Sequence, residues 1–406
     1  MGNGEIVGVN TMKEQKKCVP EIRFAGFTDD WEQRKLGDIS QSYSGGTPSV
    51  GISSFYGGSI PFIRSGEIND EKTELFLTEE GLHNSSAKLV KYGDILYALY
   101  GATSGEVNRS KINGAINQAI LAIIPNLDYC AEFIAQWLRK NKLNIISIYL
   151  QGGQGNLSAE IVKNLQIILP DSKEEQTAIG NFFKQLDDTI ALHRRNCIKC
   201  QNLKMAYLES IFSAKYIHYK DRNKNAWEQR KLGEIYENNT ERNTHEIGYD
   251  KTISIATMIY KSDGNGASLK SLSNYKVLRM GDIAFEGHTN KQFRYGRFIV
   301  NDIGIGIMSP RFAALRPKRK MPISFWKYYI HYEPIMRNVL VNATKAGTMM
   351  NELVVSEFLN QTIFAPSLEE QTVIGNFFKQ LDDTIALHQR FWVNNNQFGR
   401  EYAELF

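Results

Sequence analysis

The sequence predicts two similar domains of mixed α/β (α+β) structure, separated by a pair of long antiparallel coiled-coil helices with pseudo-twofold symmetry. Three observations predict this fold class: a long internal repeat, a helix signal with heptad spacing at the end of each half, and short strand-like runs inside each half. The chain has 406 residues and is 42% hydrophobic, so it can form two or three domains that each bury a core.

The internal repeat divides the chain into two halves. Segment 31–39, WEQRKLGDI, recurs as 227–235 with one change, from Asp to Glu. Segment 174–195 recurs 195 residues later as 369–390 and differs at two of its 22 positions. The sequence between these blocks diverges. A period this long indicates a duplicated domain with a duplicated connector, and the near-identical connectors suggest one partner surface that is presented twice.

Each connector has the features of a long helix. Ser172 with Glu175, and Ser367 with Glu370, fit the capping box that opens a helix. A stripe then follows in which steps of four and three residues alternate, which is the seam spacing of a coiled coil. Its first members are Ile179, Phe183, Leu186 and Ile190 in one copy and Ile374, Phe378, Leu381 and Ile385 in the other. It continues through His193, Cys197, Cys200, Lys204 and Tyr207, and through His388, Trp392, Asn395, Gly399 and Tyr402.

A long helix with one apolar stripe needs a partner, and the other copy is the obvious one. We interpret the stripe as intramolecular packing and the matched His193 and His388 as a polar pair that sets the register. The polar segment 394–397 predicts that the second helix ends early or frays. Cys197 and Cys200 have the spacing of half a zinc site, but their place on the stripe favours buried packing.

The interiors of the two halves predict alternating strands, turns and helices. Strand-like runs lie at 60–64, 94–100, 119–124, 165–169, 298–300 and 311–315, and helices are expected at 131–143 and 322–337. Weak sequence similarities remain between the interiors of the two halves. Segment 91–95 resembles 279–283, and 152–157 occupies a place similar to 347–351. The two interiors therefore resemble one fold with different surfaces.

Composition excludes several classes of protein. The net charge is only +4, so a nucleic-acid role has to rest on local basic residues. Four cysteines without a secretion signal indicate a reducing compartment. No stretch approaches the 18 or so apolar residues that a membrane-spanning helix needs, and Ile6 stands where myristoylation requires Ser or Thr. We therefore expect a cytoplasmic protein that does not contact membranes.

Loops carry the residues of the type that contact nucleic acid. Glycine-rich loops offer free backbone N–H groups to phosphate, Arg bonds guanine, and Asn or Gln bonds adenine. Candidates in the first half are Gly46, Thr47, Ser49, Arg64, Ser65, Arg109, Lys111, Gln118, Gln154 and Asn156. Candidates in the second half are His288, Asn290, Lys291, Gln292, Arg294, Tyr295, Arg297, Thr348 and Asn351. The alternatives are ordinary hairpin turns for the glycine-rich loops and a solvated loop for 288–297.

Catalytic motifs are missing from the sequence. It contains no phosphate-binding P-loop, no Asn-Pro-Pro-Tyr run of the kind that adenine methyltransferases use, and no nuclease metal motif after Pro170-Asp171. Gly2-Asn3-Gly4 lacks the preceding strand that a dinucleotide fingerprint requires. The repeated pairs Glu174-Glu175 and Asp187-Asp188 fit a helix N-terminus and a solvated or partner-facing stretch, respectively.

This organisation resembles the specificity subunits of type I restriction–modification systems. The resemblance covers about residues 19–406 and rests on segments 31–37, 60–64, 93–95 and 170–195, with second copies from Trp227 and Glu369. It assigns 19–171 and 227–367 as target-recognition domains, 172–213 and 368–406 as repeated spacer helices, and 214–226 as a linker.

The resemblance implies a non-catalytic subunit in which each domain reads one half of a split site in double-stranded DNA. The helices would set the spacing and dock two methyltransferase subunits, with restriction or translocase subunits joining the complex. It implies no cofactor or metal in this chain, because S-adenosylmethionine, ATP and magnesium would be bound by the partners. The segment after Arg390 departs from its first copy, which puts docking there in doubt.

Two other functions remain possible from the residues alone. A protein-only scaffold would use the repeated helices to hold two copies of a partner without reading DNA. A self-sufficient restriction enzyme is disfavoured by the missing motifs.

Overall fold

The computed structural model describes residue 20 and residues 22–150, 156–213, 227–261, 269–348 and 350–405. The chain forms two compact units. Unit 1 comprises Met1–Leu192 with Phe391–Phe406, and unit 2 comprises His193–Arg390. Each unit therefore combines one interior of the repeat with parts of both long helices.

The described part of unit 1 alternates short strands and helices. The strands are β1 (Trp31–Lys35), β2 (Ser40–Ser44), β3 (Tyr56–Ile63), β4 (Leu75–Leu77), β5 (Lys88–Val90), β6 (Ile95–Ala98), β7 (Val107–Arg109), β8 (Gly114–Ile116), β9 (Ile120–Pro125) and β10 (Gln166–Pro170). The helices are α1 (Leu36–Ile39), α2 (Glu79–His83), α3 (Ala131–Lys140), α4 (Lys142–Leu150), α5 (Ala159–Lys163) and the first part of α6 (Lys173–Phe212). Single 3₁₀ turns lie at Ser53–Phe55 and Ser65–Glu67.

The described part of unit 2 repeats this arrangement after the end of α6. The strands are β11 (Glu228–Lys231), β12 (Tyr236–Asn238), β13 (Thr252–Ser254), β14 (Ile259–Lys261), β15 (Lys276–Leu278), β16 (Ile283–Glu286), β17 (Arg297–Val300), β18 (Gly306–Met308), β19 (Ala314–Pro317), β20 (Thr344–Lys345), β21 (Glu352–Leu353) and β22 (Thr362–Ala365). The helices are α7 (Leu232–Ile235), α8 (Ile323–Tyr329), α9 (Glu333–Ala343), α10 (Val355–Asn360) and α11 (Leu368–Leu405), with 3₁₀ turns at Tyr249–Lys251 and Leu269–Asn274.

Both units have the same strand order. Unit 1 contains the sheets β2-β9-β6-β7 and β4-β3-β8-β5 and the pair β1-β10. Unit 2 contains β12-β19-β16-β17, β14-β13-β18-β15 and β11-β22 in the corresponding places; the described residues of unit 2 also form the pair β20-β21. In the second sheet of each unit one pair is parallel, β3 with β8 and β13 with β18. The prediction that both interiors share one mixed α/β fold is confirmed.

The first sheet of each unit is buried on both faces. Along β6, Ile95 and Tyr97 pack into the core that contains α3, whereas Leu96 and Ala98 pack against the second sheet. Strand residues alternate between faces, so a strand covered on both sides reads as a continuous apolar run. That burial explains why segment 94–100 is recognisable from the sequence alone.

The repeated dipeptides Gly93-Asp94 and Gly281-Asp282 form the same turn before β6 and β16, respectively. Gly93 and Gly281 have φ of +90° and +88°, a region that side chains disfavour. The carboxylate of Asp94 accepts a hydrogen bond from the backbone N–H of Lys91 at 2.7 Å, and Asp282 accepts the equivalent bond at 2.9 Å. The Gly-Asp sequence is therefore repeated because the shared fold requires this turn in both units.

Both long helices begin with the serine half of the predicted capping box. The backbone N–H of Glu175 donates to Ser172 Oγ at 3.3 Å, and that of Glu370 donates to Ser367 Oγ at 3.2 Å. The Glu175 carboxylate is also bound by the Arg23 guanidinium at 2.6 and 2.7 Å. A segment that precedes the first repeat block thus helps to hold the start of α6.

A repeated glutamine joins each long helix to its domain. Gln176 is buried; its amide donates to Pro170 O and accepts from the backbone N–H of Cys130, both at 2.9 Å. Gln371 has the same position in α11 and accepts from Trp326 Nε1 at 3.1 Å. Because a buried amide is costly unless it is hydrogen-bonded, this joint constrains the identity of both glutamines.

A repeated glycine allows the domain helix to approach. A Cβ added at Gly180 would lie 2.8 Å from Phe133 N, and one added at Gly375 would lie 2.5 Å from Phe325 N. Contacts this short leave room only for glycine. They also show that Phe133 in α3 and Phe325 in α8 occupy equivalent positions in the two units.

The apolar stripe of the long helices packs inside the units. Among its predicted members, Ile179, Ile374, Phe378 and Ile385 are buried, and the other four are half-buried. In unit 2 the two helices run antiparallel. His193 Nδ1 lies 2.9 Å from His388 Nδ1, and the ring of Tyr207 lies 5.0 Å from that of Phe377.

Some local expectations are wrong. Segment 322–337 forms two helices rather than one, because Pro334 starts a new helix in the first turn of α9. The helix expected at 131–143 is likewise divided, since α3 ends at Lys140 and α4 begins at Lys142. The second long helix does not end near residue 394: α11 continues to Leu405. In unit 1 its Gly399 packs on Leu186 of α6, and this contact overrides the weak local signal.

Candidate nucleic-acid interface

In each unit, a hairpin loop of the first sheet meets the segment that precedes the last short helix. In unit 2 the loop between β16 and β17 begins at Gly287, whose carbonyl accepts from the backbone N–H of Asn351 at 2.9 Å. In unit 1 the loop between β6 and β7 begins at Leu99, whose carbonyl accepts from Leu157 N, also at 2.9 Å. The structure thus places the segments near Asn156 and Asn351 in equivalent positions, as the sequence comparison predicts.

The unit 2 loop has a fixed base. The Glu286 carboxylate is buried and is hydrogen-bonded by both the backbone N–H and the ring Nδ1 of His288. The Arg297 guanidinium lies 3.6 Å from Glu286 and stacks over the Phe293 ring at 5.1 Å from its centroid. Asn290 Oδ1 accepts two backbone N–H bonds and closes the tip of the loop. Arg297, His288 and Asn290 therefore stabilise the loop.

The tip of the same loop presents free polar groups. Lys291, Gln292 and Arg294 are exposed, and within the described parts of the chain no side chain bonds their ammonium, amide or guanidinium group. Of the other candidates in unit 2, Tyr295 packs against the core, Thr348 is exposed and Asn351 is half-buried. The structure thus separates residues that build the loop from residues that can reach a ligand.

The glycine-rich loop of unit 1 is built differently from the expectation. The N–H of Gly46 is not free for phosphate, because it donates to Ile116 O at 3.2 Å and the residue is buried. The Thr47 hydroxyl donates to the side-chain oxygen of Gln118. A cavity of about 280 Å³ brings Thr47 together with Arg64. Ser49 and Asn156 are exposed, whereas Gln154 and the predicted linker 214–226 lie outside the described residues.

Arg64 is held by two acidic residues. Its guanidinium bonds Glu67, in the turn Ser65–Glu67, at 2.7 and 3.0 Å, and Glu74, beyond that turn, at 2.8 Å. Burial favours the neutral form of the Glu67 carboxyl, but the hydrogen bonds from Arg64 outweigh it and bring the pKa to about 2. Arg64 is therefore neutralised within the domain. Glu67 follows Arg64 by three residues, a spacing at which the two side chains can pair. The sequence therefore contains a signal for this ion pair, but loop composition alone does not reveal it.

Arg109 and Lys111 are also paired. Arg109 donates to Gly93 O, and its Nη1 lies 3.2 Å from the buried carboxylate of Glu132. Lys111 lies 3.7 Å from Glu71. Glu132 is on α3, and no local signal in the sequence could predict that contact. The expectation of free basic groups in unit 1 is therefore not met by these residues.

No group of three metal-ligating side chains occurs among the residues that the structure describes. Cys197 is buried on the stripe, as the packing interpretation predicts, whereas Cys200 is half-buried, and neither forms a disulfide. Within the described residues, no helix combines the length and the apolar character needed to cross a membrane.

The chain belongs to the family of type I restriction modification DNA specificity domains, which matches residues 28–199 and 224–391. It is 24% identical over 366 residues to the type I restriction enzyme MjaIX specificity subunit of Methanocaldococcus jannaschii, with 83% of each chain covered. It is 29% identical over 175 residues to the HindI specificity subunit of Haemophilus influenzae, which covers 39% of this chain and 37% of that one. The predicted family is confirmed.

A solved structure shares the fold. The crystal structure of the type I restriction-modification system S subunit from M. genitalium matches with a TM-score of 0.60 at 14% identity. The match covers 96% of this chain and 99% of that chain. The family match identifies the protein as a specificity protein of a restriction–modification system, built from two repeated domains that recognise DNA sequence.

The contrast between paired and unpaired arginines gives a stability prediction. We expect Arg109→Ala to lower the free energy of unfolding by about 1–3 kcal/mol, because it leaves the Gly93 carbonyl and the buried Glu132 with one fewer donor. Arg294→Ala, at an exposed and unpaired side chain, should change it by less than about 0.5 kcal/mol. Urea denaturation of the full chain measures both, and equal losses in the two variants would contradict the assigned roles.

Proposed function

We propose that the chain is the non-catalytic DNA-recognition subunit of a type I restriction–modification complex. Each domain reads one half of a split DNA sequence, and the long helices set the spacing and dock two methyltransferase subunits. The observation that carries the proposal is that two units of identical strand order present different loops at the same place. A shared scaffold with divergent loops is what two readers of different half-sites require.

The loops differ in charge as well as in sequence. Segment 99–106, LYGATSGE, has one acidic residue and no basic one, whereas 287–296, GHTNKQFRYG, has Lys291, Arg294 and His288 and no acidic one. Lys291 suits a phosphate, Arg294 a guanine, and Gln292 an adenine edge. In unit 1 the hydrogen-bonding partners would be hydroxyl and amide groups such as those of Thr47 and Gln118. The two half-sites should therefore be read by different chemistry.

The repeated helices offer the same exposed face twice. Residues that are identical in both copies and exposed in both include Asn181, Lys184, Gln185, Asp188 and Thr189, with Asn376, Lys379, Gln380, Asp383 and Thr384 as their counterparts. Packing cannot explain their identity, since they are not buried. A partner that docks the same way on each unit would explain it, and this supports a docking site for one methyltransferase subunit per copy.

We assign catalysis to the partner subunits. The chain lacks the sequence motifs for adenine methylation, ATP hydrolysis and DNA cleavage. S-adenosylmethionine, ATP and magnesium would accordingly be bound by methyltransferase and restriction or translocase subunits in a cytoplasmic complex.

A domain exchange tests the reading of half-sites. Replacement of residues 40–165 by the corresponding domain of another family member should change one half of the methylated sequence and leave the other half intact. Mapping of methylated adenines in cells that express the exchanged chain with its methyltransferase measures this. Exchange with no change in the pattern would favour the protein-only scaffold, and a change in both halves would contradict modular reading.

Charge reversal tests the docking face. The double variant Lys184→Glu/Lys379→Glu should weaken binding of the methyltransferase by about tenfold or more, because it inverts the same position in both copies. Lys199→Glu is the matched control: Lys199 is exposed on α6, but its counterpart is Asn394, so it is not part of the repeated face. Analytical ultracentrifugation of the mixed subunits gives the affinity, and equal weakening by the control would refute the assignment.

A helix insertion tests the spacing role. Four residues added after Lys199 lengthen α6 by about 6 Å, close to two base-pair steps. The tolerated DNA spacer should become longer, whereas both half-sites stay the same. The same insertion at Gly51, in an exposed turn, serves as the control. An unchanged spacer in the α6 variant, with methylation retained, would rule out the spacing role.

A further inference from the structure

Lys204 and Gly399 are one of the positions at which the two copies of the helix stripe differ. Asp187 in α6 and Asp382 in α11 are counterparts, and so are Lys204 in α6 and Gly399 in α11. In unit 2 Asp382 is bonded by Lys204, and in unit 1 Asp187 and Gly399 line the same cavity. The same carboxylate therefore faces a lysine in one unit and a glycine in the other.

In unit 2 the lysine is fully engaged. Lys204 Nζ donates to Asp382 Oδ1 at 2.6 Å and lies 5.0 Å above the ring of Tyr328. The Tyr328 hydroxyl donates to the other carboxylate oxygen, Oδ2, at 2.6 Å. Each oxygen of Asp382 thus has a separate donor, and the Lys204 ammonium group lies over the aromatic ring.

In unit 1 only one of these donor positions is used. Gln136, three residues after Phe133 as Tyr328 is after Phe325, donates from Nε2 to Asp187 Oδ2 at 3.0 Å. Arg139 donates to the same oxygen at 3.3 Å. No group in the described residues donates to Asp187 Oδ1, which is the oxygen that the lysine occupies in unit 2.

A cavity takes the place of the lysine stem. It has a volume of about 260 Å³ and is bordered by Gly399. Its apolar walls are formed by Phe133, Trp137, Ile179, Phe183, Leu186 and Ile190, and Asp187 lies at the wall as well. Gly399 has no side chain to enter this space, whereas its counterpart in unit 2, Lys204, reaches Asp382 and the Tyr328 ring.

We propose that this cavity binds a small aliphatic amine, with its ammonium group at Asp187 Oδ1 and its alkyl stem among the apolar walls. Unit 2 supplies the template, since Lys204 places a four-carbon stem and an ammonium group in the corresponding geometry. The ligand class is therefore a primary alkylamine or diamine of about four carbons. The site is separate from the loops proposed to read DNA.

Neighbouring positive charge limits the affinity. Arg139 and Lys140 also line the cavity. The Arg139 guanidinium already donates to Asp187, to Val107 O at 3.0 Å and to Asn108 Oδ1 at 2.8 Å, and it lies 3.8 Å from Glu132. The side chain of Asp187 is 54% exposed, so solvent screens these charges. For a ligand with five heavy atoms we expect a dissociation constant on the order of 1–10 mM.

Trp137 provides a site-specific readout. The full chain is labelled with 5-fluorotryptophan, the ¹⁹F resonance of Trp137 is assigned with Trp137→Phe, and n-butylammonium is titrated at neutral pH. The Trp137 resonance should shift with saturation. n-Butanol and butyrate have the same stem with no charge and with negative charge, and both should bind at least about tenfold more weakly because they lack the charge-assisted bond to Asp187.

Substitutions in the cavity wall test whether the cavity corresponds to the site that Lys204 occupies in unit 2. Gly399→Lys should abolish the response, because the new side chain occupies the site as Lys204 does in unit 2. Its Cβ would lie 3.2 Å from Leu186 Cδ2, a terminal methyl group that can move. Asn394→Lys adds the same charge at an exposed position of α11 and should leave binding intact. Asp187→Asn should weaken it by about tenfold.

Four results would overturn the proposal. They are no shift up to about 100 mM n-butylammonium, equal binding of n-butanol, tighter binding of butyrate, and retention of binding by Gly399→Lys. The thermal midpoint of each variant is measured alongside, so that loss of folding is recognised separately from loss of the site.

Discussion

Burial of the apolar stripe on the long helices is the constraint on which the rest of the structure depends. A helix of 40 residues such as α6 spans about 60 Å and is not stable with one apolar face in water. Its first turns place Ile179 in the core of unit 1, and its last turn places Phe212 in the core of unit 2. Each domain therefore stabilises one end of α6. Because residues of α6 belong to the cores of both units, the packing of both units constrains the α6 sequence.

Packing explains part of the near-identity between the two copies of the helix block. Gln176 and Gly180 are buried at the junction with α3, where a different side chain would leave a buried amide partner unsatisfied or clash with backbone. Lys184 and Asp188 are exposed, and their mutual ion pair at 2.6 Å contributes little to stability. The fold therefore does not explain the identity of the exposed residues, which form the docking face that we propose.

The two copies differ in sequence at positions where the shared fold does not constrain the residue type. The loops between β6 and β7 and between β16 and β17 leave equivalent strands, but only the second has a buried carboxylate at its base, that of Glu286. Lys204 and Gly399 are a second case, in which a charged stem in one unit corresponds to a cavity in the other. Sequence change at these places alters a surface or a cavity while the strand order stays the same, which is how one scaffold can present two chemistries.

The sequence by itself determined the duplication, the starts of the long helices, the apolar stripe and several of the buried strands. All of these depend on local periodicity or on direct repetition, as with Ser172 and Glu175 or the alternating faces of 95–98. Sequence comparison of the halves also located the loops, because the Gly-Asp turn precedes β6 and β16 alike. What it could not determine was which polar groups in those loops remain free.

Only the tertiary structure decided the partners of individual side chains. Arg109 is neutralised by Glu132, the N–H of Gly46 is taken by Ile116, and α11 continues to Leu405 through contact with α6. In each case the deciding group lies more than 20 residues away in the chain and is brought near by folding. The strength of an ion pair or a helix end depends on that distant neighbour, so no property of the local sequence could reveal it.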